Sequence, residues 1–540
     1  MLILENTFAN AAFMSDEGYQ APNRFLILGL GESGVAMAKW CLRNGAEVRL
    51  ADTREQSSFT VRQNAWLEEL RIAGLKDVCF GPLDEGLLKN IDVIGISPGL
   101  SPVQDPTYAF LVRAEQAEID VWSEIEFFAR AISALSRMSQ AQELSYVAAV
   151  LAVTGTNGKT TTAALTGQLC ERAGKKVAIA GNISPAALEK LMSCLDIADQ
   201  IVDMPDVWVL ELSSFQLVYT HTLNATAATV LNITQDHLDW HGDMQAYAQA
   251  KSRIFGIDTV CILNRDDSLV MGLLSEEQKA ERAIVTFGSN RPDEQGAFGI
   301  EHDLRAGGID WLVWAEVDED VEPKPKRRRK SAVVEEEEPL RLKRLIPADA
   351  LRIRGRHNAL NALAALALAR AANLPMNALL HGLRDYHGEP HRVQSIAIVK
   401  DVEYVDDSKG TNVGATVAAL NGLGSNESGK RIWLIAGGDG KGQDFSPLRE
   451  PALRFVKGAF LIGKDGAAIG EALGSEIQSI NCGDLISAVQ AAASKAVSGD
   501  LVLLSPACAS LDQFCDYVER AQVFAAEVEE LGMRFEGVQV

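Results

Sequence analysis

The stretch AVLAVTGTNGKTTTAALTGQLCERAG, residues 149–174, constrains the fold more than any other part of the chain. An apolar, β-prone run enters a glycine loop and leaves it as a helical run. A strand, loop and helix in that order is the unit of a parallel α/β sheet, because parallel strands need a crossover. The loop departs by one residue from the phosphate-binding pattern G-x-x-x-x-G-K-[ST], with Val153 in the opening glycine's place. Glycine is needed only where the backbone takes positive φ or comes close to phosphate oxygens. Gly155 and Gly158, on either side of Asn157, can meet both needs. Lys159 is then expected to neutralise the terminal phosphates and the Thr160 hydroxyl to ligate Mg2+. The amides that open the helix, Thr161 included, add their dipole.

The same alternation of β-type runs and Ala-rich helical runs extends from about residue 24 to the end. It falls into three blocks, which begin at RFLILGLGESG, at AAVLAVTGTNGKT and at EYVDDSKGTN. A chain of 540 residues is too long for one core, and three α/β domains are expected. The balance of 51 Lys+Arg against 73 Asp+Glu gives a net charge of −22, which repels phosphate backbones and argues against nucleic-acid or anionic-membrane partners. Eight scattered cysteines without a C-x-x-C pair read as reduced thiols, hence a cytoplasmic protein. No basic leader and no apolar run of about 18 residues occurs, so no membrane span is expected. Residues 324–339, a basic run followed by an acidic one, read as a solvated insertion, and 131–146 and 197–206 as local insertions.

In the first block, Gly29, Gly31 and Gly34 follow the strand RFLIL, and Asp52 ends the next strand. Taken alone this is a dinucleotide fingerprint or a structural turn. Thr53 and Arg54 add a hydroxyl and a planar fork able to grip a base or sugar edge. Ser97, Pro98 and Gly99 are expected to end a third strand at the same edge. In the second block, Glu211 ends an apolar strand, where a carboxylate is costly unless it meets a cation such as Mg2+. His237 falls at a strand-to-helix junction and Lys251 on the following helix; each alone reads more readily as structural than as functional.

TGTNGKTT, AGN at 180–182, ELSSFQ at 211–216, DH at 236–237 and AKSRIF at 250–255 together resemble the Mur ligases, ATP-dependent amide-forming enzymes of cell-wall precursor synthesis. GLGESG, ADTR, SPG, PHR at 390–392, DDSKGTN at 406–412, GGDGKG at 437–442 and SPACASLDQF at 505–514 narrow the resemblance to members that add D-glutamate. The resemblance implies three domains. Residues 1–122 form a Rossmann-like UDP-binding domain with an N-terminal tail. Residues 123–389 form a central P-loop ATPase-type domain with the charged insertion near 318–340, and residues 390–540 a C-terminal Rossmann-like domain.

It also implies substrates and sites. UDP-N-acetylmuramoyl-L-alanine is expected at Gly31, Ser33, Gly34, Thr53, Arg54, Ser97 and Gly99, with Asn182 and Gln216 reaching it from the central domain. ATP is expected at Gly155, Asn157, Gly158, Lys159, Thr160, Thr161, Asn358, Asn361, Arg392, Asp407, Asp439 and Lys441. D-glutamate is expected at Lys409, Thr411, Ser510, Leu511 and Tyr517. Two Mg2+ ions are implied at Thr160, Glu211, His237 and Lys251, the last as a carbamate, so that Lys159, Glu211, His237 and Lys251 carry the catalysis. A monomer is expected. Tyr517 stands where the family has Phe, Gly410 where Ala is common, and Glu32 where an apolar residue is usual. A nicotinamide oxidoreductase, a ligase for another amino acid or for folate, and a silent scaffold are the competing readings.

Overall fold

The computed structural model describes residues 22–141, 146–304, 308–317, 324–325, 336–337, 340–424 and 431–536. The N-terminal tail and most of the charged insertion near 318–340 lie outside them.

Three α/β sheets follow one another along the chain. The first holds β1 (Arg24–Leu28), β2 (Glu47–Asp52), β3 (Asp77–Phe80), β4 (Val93–Ile96) and β5 (Asp120–Trp122), all parallel, in the order β3-β2-β1-β4-β5. The order reverses between β1 and β4, which opens a crevice at their carboxyl ends, between the loop after β1 and the SPG loop. That SPG loop closes the fourth strand and not the third. Asp77–Phe80 is a strand in its own right, only half-buried and opened by an aspartate, so its apolar signal is weak.

The second sheet has nine strands: β6 (Ala149–Thr154), β7 (Val177–Gly181), β8 (Val207–Glu211), β9 (Ala227–Val230), β10 (Val260–Asn264), β11 (Ile284–Phe287), β12 (Phe298–Asp303), β13 (Ile309–Val317) and, after the short pair β14 (Lys324–Pro325) and β15 (Glu336–Glu337), β16 (Leu340–Pro347). Its order is β16-β13-β12-β11-β10-β9-β6-β8-β7; β12, β13 and β16 pair antiparallel and the rest parallel. Strand β6 is central and fully apolar from Val150 to Val153, as a strand covered by helices on both faces must be.

The third sheet runs β17-β18-β22-β19-β20-β21, from β17 (Gln394–Val399), β18 (Val402–Asp406), β19 (Ile432–Gly437), β20 (Val456–Ile462), β21 (Gln478–Gly483) and β22 (Leu501–Leu504). Only β17 and β18 are antiparallel. They are joined at Lys400 and Asp401, both at positive φ, the geometry of a two-residue hairpin turn.

The helices that matter for the site are α1 (Glu32–Arg43), α2 (Glu124–Ala141), α3 (Lys159–Arg172), α4 (Met244–Ser252), α5 (Arg356–Ala371) and α6 (Val413–Gly424). The first part of the expected insertion 131–146 is the continuation of α2. Ala131, Ala134, Leu135 and Met138 recur at helical spacing and are all buried. Helix α2 fastens the first sheet to the second. Phe127 packs on Phe25 at 5.6 Å between ring centroids, and Phe128 on Trp208 at 5.1 Å. One continuous apolar core therefore runs through both sheets, whereas the third sheet has cores of its own. All eight cysteines are free thiols, and no helix among the described residues is long and apolar enough to cross a membrane.

Candidate active site

The phosphate-type loop leaves the carboxyl end of β6. Val153 is a buried strand residue paired with Glu211, which explains why no glycine is needed there. Gly158 caps α3 at φ 85°, and a Cβ on it would lie 2.5 Å from Asn361 Oδ1. Glycine is thus required at this position on two counts. Asn157 is held by Asn232, which accepts from its amide at 2.8 Å and donates back to its carbonyl at 3.1 Å. The Lys159 ammonium donates to the carbonyls of Gly155 at 2.9 Å and Thr156 at 2.8 Å. Burial draws its pKa below the ordinary lysine value, and Glu211 pushes back.

Glu211 ends β8, one strand away, and is 2 % exposed. Its Oε1 accepts from Asn182 Nδ2 at 2.8 Å, while its Oε2 is buried without a hydrogen-bond partner. A carboxylate oxygen so placed is costly unless a cation meets it. Lys251, on α4, is 1 % exposed and donates to Gly155 O at 3.0 Å, the same carbonyl that Lys159 uses. Burial, reinforced by the neighbouring Lys159 charge, brings the Lys251 pKa well below normal. His237 sits at the junction after β9, at φ 53°, with Asp236 Oδ2 3.5 Å from its Nε2. Burial lowers its pKa, so the ring is favoured in its neutral form, with a lone pair to offer. The donor set therefore suits a hard divalent cation: an unpartnered carboxylate oxygen, a hydroxyl and a neutral imidazole.

The third sheet supplies the facing wall. Arg392 Nη2 and Lys409 Nζ both donate to Thr160 Oγ1, at 3.0 and 3.2 Å, and Arg392 Nε is buried without a partner. Burial first, then Arg392, lowers the Lys409 pKa to about 8. The Lys409 ammonium also lies 5.4 Å from the centroid of the Tyr517 ring, an aromatic face for the cation. Asp407 is buried and pushed up to about 7 by desolvation; it accepts from Ser505 Oγ at 2.7 Å. A Cβ at Gly410 would come within 2.6 Å of Asp407 Oδ2, so the loop closes tightly here. Asn412 reaches back to Asn157 Oδ1 at 3.0 Å.

Between these walls lies a cleft of about 230 Å³ lined by Asn157, Gly158, Thr161, Asn358, Asn361, Arg392 and Asp407. Sequence reasoning missed other residues of the lining: Asn232, Asn264, Phe287, His357 and Glu389. Only Asn232 had a local signal, in NIT directly after β9. Asp439 and Lys441 are not drawn into it. Asp439 pairs with Lys464 at 3.2 Å, and Lys441 is exposed beside it. In the loops that follow β18 and β22, Ser510 is buried, Thr411 half-buried and Leu511 exposed.

The first sheet's loop is built differently. A Cβ on Gly34 would sit 1.9 Å from the Gly29 carbonyl oxygen, whereas Gly31 has nothing within 4 Å of that position. Ser97 donates to Gly29 O at 3.1 Å and fixes the SPG loop, with exposed Gly99, against the glycine turn. Burial raises the Asp52 pKa, but the Arg54 fork and the Leu30 amide outweigh it and hold the carboxyl below its ordinary range. Those donors lie 2.7 to 2.8 Å from its two oxygens, so Asp52 is engaged within the chain. Ser33 and Thr53 are half-buried at the loop rim. Ser184 donates to Glu32 Oε1 at 2.7 Å, which ties this loop to the segment carrying Asn182. Gln216 is buried, its Oε1 accepting from Ser213, and lines a tight recess with Ser97 and Glu124.

The chain matches known proteins along most of its length. The MurD-like N-terminal domain of Mur ligases matches residues 23–123, the Mur ligase middle domain residues 153–369, and the Mur ligase glutamate ligase domain residues 391–508. The UDP-N-acetylmuramoylalanine–D-glutamate ligase of Cupriavidus pinatubonensis is 55% identical over 514 residues, 94% of this chain and 97% of that protein. The protein of the same name from Ralstonia nicotianae is 54% identical over 508 residues, covering 94% and 96%. MurF of Acinetobacter baumannii, at 15% identity, superposes with a TM-score of 0.55 over 96% of this chain and 98% of its own, a likeness of fold.

Proposed function

The chain belongs to the Mur ligase family, and from that premise we infer that it is an ATP-dependent ligase that adds D-glutamate to UDP-N-acetylmuramoyl-L-alanine in peptidoglycan precursor synthesis. The observation that carries the reading is that Arg392 and Lys409 both donate to the Thr160 hydroxyl, next in the chain to Lys159 and near a buried carboxylate with a free oxygen.

In the first step the substrate's terminal carboxylate oxygen bonds to the γ-phosphorus of ATP, the bond to the bridging oxygen breaks, and ADP leaves. The amine of D-glutamate then bonds to the acyl carbon, gives up a proton and expels inorganic phosphate. Two anions meet in the first step, so fixed positive charge at the loop lowers its barrier. Lys159 would meet the β and γ phosphates, and the unpartnered Nε–H of Arg392 would donate to the transferring group. Gly155, Asn157, Gly158, Thr160, Thr161, Asn358, Asn361 and Asp407 would frame the nucleotide. Asp439 and Lys441 would join them from the outer loop of the third domain.

Magnesium, where bound, would screen the repulsion between the two anions; Thr160, Glu211 and His237 would hold it. Burial that lowers the Lys251 pKa favours the neutral, nucleophilic amine, whose nitrogen would add to the carbon of carbon dioxide and release a proton. The carbamate so formed turns a cation that repels metal ions into an anion that attracts them. Lys409, Thr411, Ser510, Leu511 and Tyr517 would take D-glutamate, an ammonium and hydroxyls answering its carboxylates.

The UDP-sugar would lie on Gly31, Ser33, Gly34, Thr53, Arg54, Ser97 and Gly99, met from the middle domain by Asn182 and Gln216. Asp52, already engaged by Arg54, has little left for the ribose of a nicotinamide cofactor, which disfavours an oxidoreductase. The proposed domains are 1–122 for the UDP-sugar, 123–389 for ATP and 390–540 for D-glutamate. Free thiols support a cytoplasmic protein. We propose that it acts as a monomer.

The test is phosphate release from ATP with UDP-N-acetylmuramoyl-L-alanine and either D- or L-glutamate, before and after carbon dioxide is stripped. Release with the D isomer alone, slowed by stripping and restored by bicarbonate, is expected. Equal release with L-glutamate would overturn the substrate, and indifference to carbon dioxide would overturn the carbamate.

A further inference from the structure

The segment Gly388–Val393 joins the second sheet's domain to the third sheet and forms part of the cleft wall. Two of its side chains are ionisable and line the cleft, Glu389 and Arg392. Arg392 reaches Thr160, so its role follows from the phosphates. Glu389 is unexplained by them, because a carboxylate beside a polyanion is repelled.

Its anchorage defines where it sits. The Tyr386 hydroxyl lies 3.1 Å from Glu389 Oε1 and 3.4 Å from the carbonyl oxygen of Thr161. Burial first, then the Glu389 charge, raises the Tyr386 pKa, so the phenol stays protonated and donates. Through Tyr386, Glu389 is tied to the carbonyl of Thr161, the residue after Thr160, and it lines the same cleft as Asn358 and Asn361. Among the described residues Tyr386 is its one hydrogen-bond partner, and no cation lies within ion-pair distance. The other carboxylate of the lining, Asp407, is occupied by Ser505 and by the amide of Val393. Past its phosphates a nucleoside triphosphate offers a vicinal diol, two neutral donors spaced for one carboxylate.

We propose that Glu389 is a specificity-determining residue that accepts hydrogen bonds from the ribose hydroxyls of the nucleotide. The proposal rests on the reading of the cleft as an ATP site. It gives a role to a carboxylate that shares its wall with Arg392 and feels the charge of Lys409, and it makes the enzyme selective for ribonucleotides.

The experiment crosses two deletions, one on the protein and one on the ligand. Wild type, Glu389→Gln and Glu389→Ala are assayed with ATP, 2′-deoxy-ATP and 3′-deoxy-ATP. Loss of a charge-assisted hydrogen bond corresponds to about a tenfold change. The wild type is expected to show a KM about tenfold higher for at least one deoxynucleotide. Glu389→Ala should raise the KM for ATP by a similar factor, keep kcat within about twofold, and no longer discriminate. Glu389→Gln, which keeps an acceptor for Tyr386 and so preserves the fold, should fall between. Discrimination that survives in Glu389→Ala overturns the proposal, as does a wild type indifferent to both deletions. Failure of ATP itself as a substrate of wild type would instead overturn the reading of the cleft.

Discussion

The two seams between the three sheets differ in kind. The seam between the first and second sheets is a continuation of a hydrophobic core. Helix α2 sends Phe127 into one sheet and Phe128 into the other, and the recess between Ser97 and Gln216 is closely filled. The seam between the second and third sheets is a polar cleft of about 230 Å³, bridged by Arg392, Lys409 and Asn412. Apolar packing is close-packed and resists displacement, whereas hydrogen bonds across a wet cleft exchange readily with water and ligand. The contrast teaches that the first seam holds two sheets together through a shared core, while the second is held by hydrogen bonds that a ligand in the cleft can replace.

The largest expected effect lies on the polar side. Lys159→Ala should lower kcat by about a thousandfold or more, the scale for removing a group that stabilises developing charge. Binding of the UDP-sugar, measured by calorimetry, should survive. Turnover close to wild type would erase the functional difference between the seams. On the apolar side, Phe128→Ala should cost about 3–5 kcal/mol of stability by leaving a cavity against Trp208. The first two domains should then melt earlier as one unit while the third keeps its own transition in calorimetry. Separate melting of the first domain alone would show that the core is not shared.

The smallest effect probes a polar intruder in the apolar seam. Glu124, which opens α2, is 1 % exposed; its Oε1 accepts from the Leu188 amide and its Oε2 has no partner. Burial raises its pKa from 4.5 to about 7; the amides of Leu188 and Ala187 oppose the rise, and Glu32 adds to it. A carboxyl whose folded pKa is raised stabilises the fold below its unfolded pKa, and that contribution is lost as pH climbs through the folded one. Wild-type stability should therefore decline between about pH 4.5 and 7 through this group. Glu124→Gln should flatten that decline and gain ~1–2 kcal/mol at pH 8 in urea titrations. An unchanged pH profile would mean that the seam hydrates Glu124 after all.

Much of this was legible along the chain. Strand, loop and helix around Gly158, the apolar run ending in Glu211 and the junction at His237 are local patterns, and the chain folds them locally. Other features were not. The strand Asp77–Phe80 was hidden by its half-buried composition, and the helical course of 131–141 showed only once its apolar face met the second sheet. The cleft-lining Asn264, Phe287, His357 and Glu389 carry no motif, because each lines the cleft through the packing of its own element.

By itself, then, the sequence determined where the chain turns, which runs become strands, and which residue types stand at the strand ends. Only the tertiary structure decided that Arg392 and Lys409 meet Thr160 across 232 and 249 residues of chain, that Glu211 keeps one oxygen free, and that one seam is dry and the other open. The reason is physical. A turn or a cap is fixed by bonds between neighbours in sequence, while the approach of distant charges depends on how whole sheets pack, and no short stretch of residues encodes that.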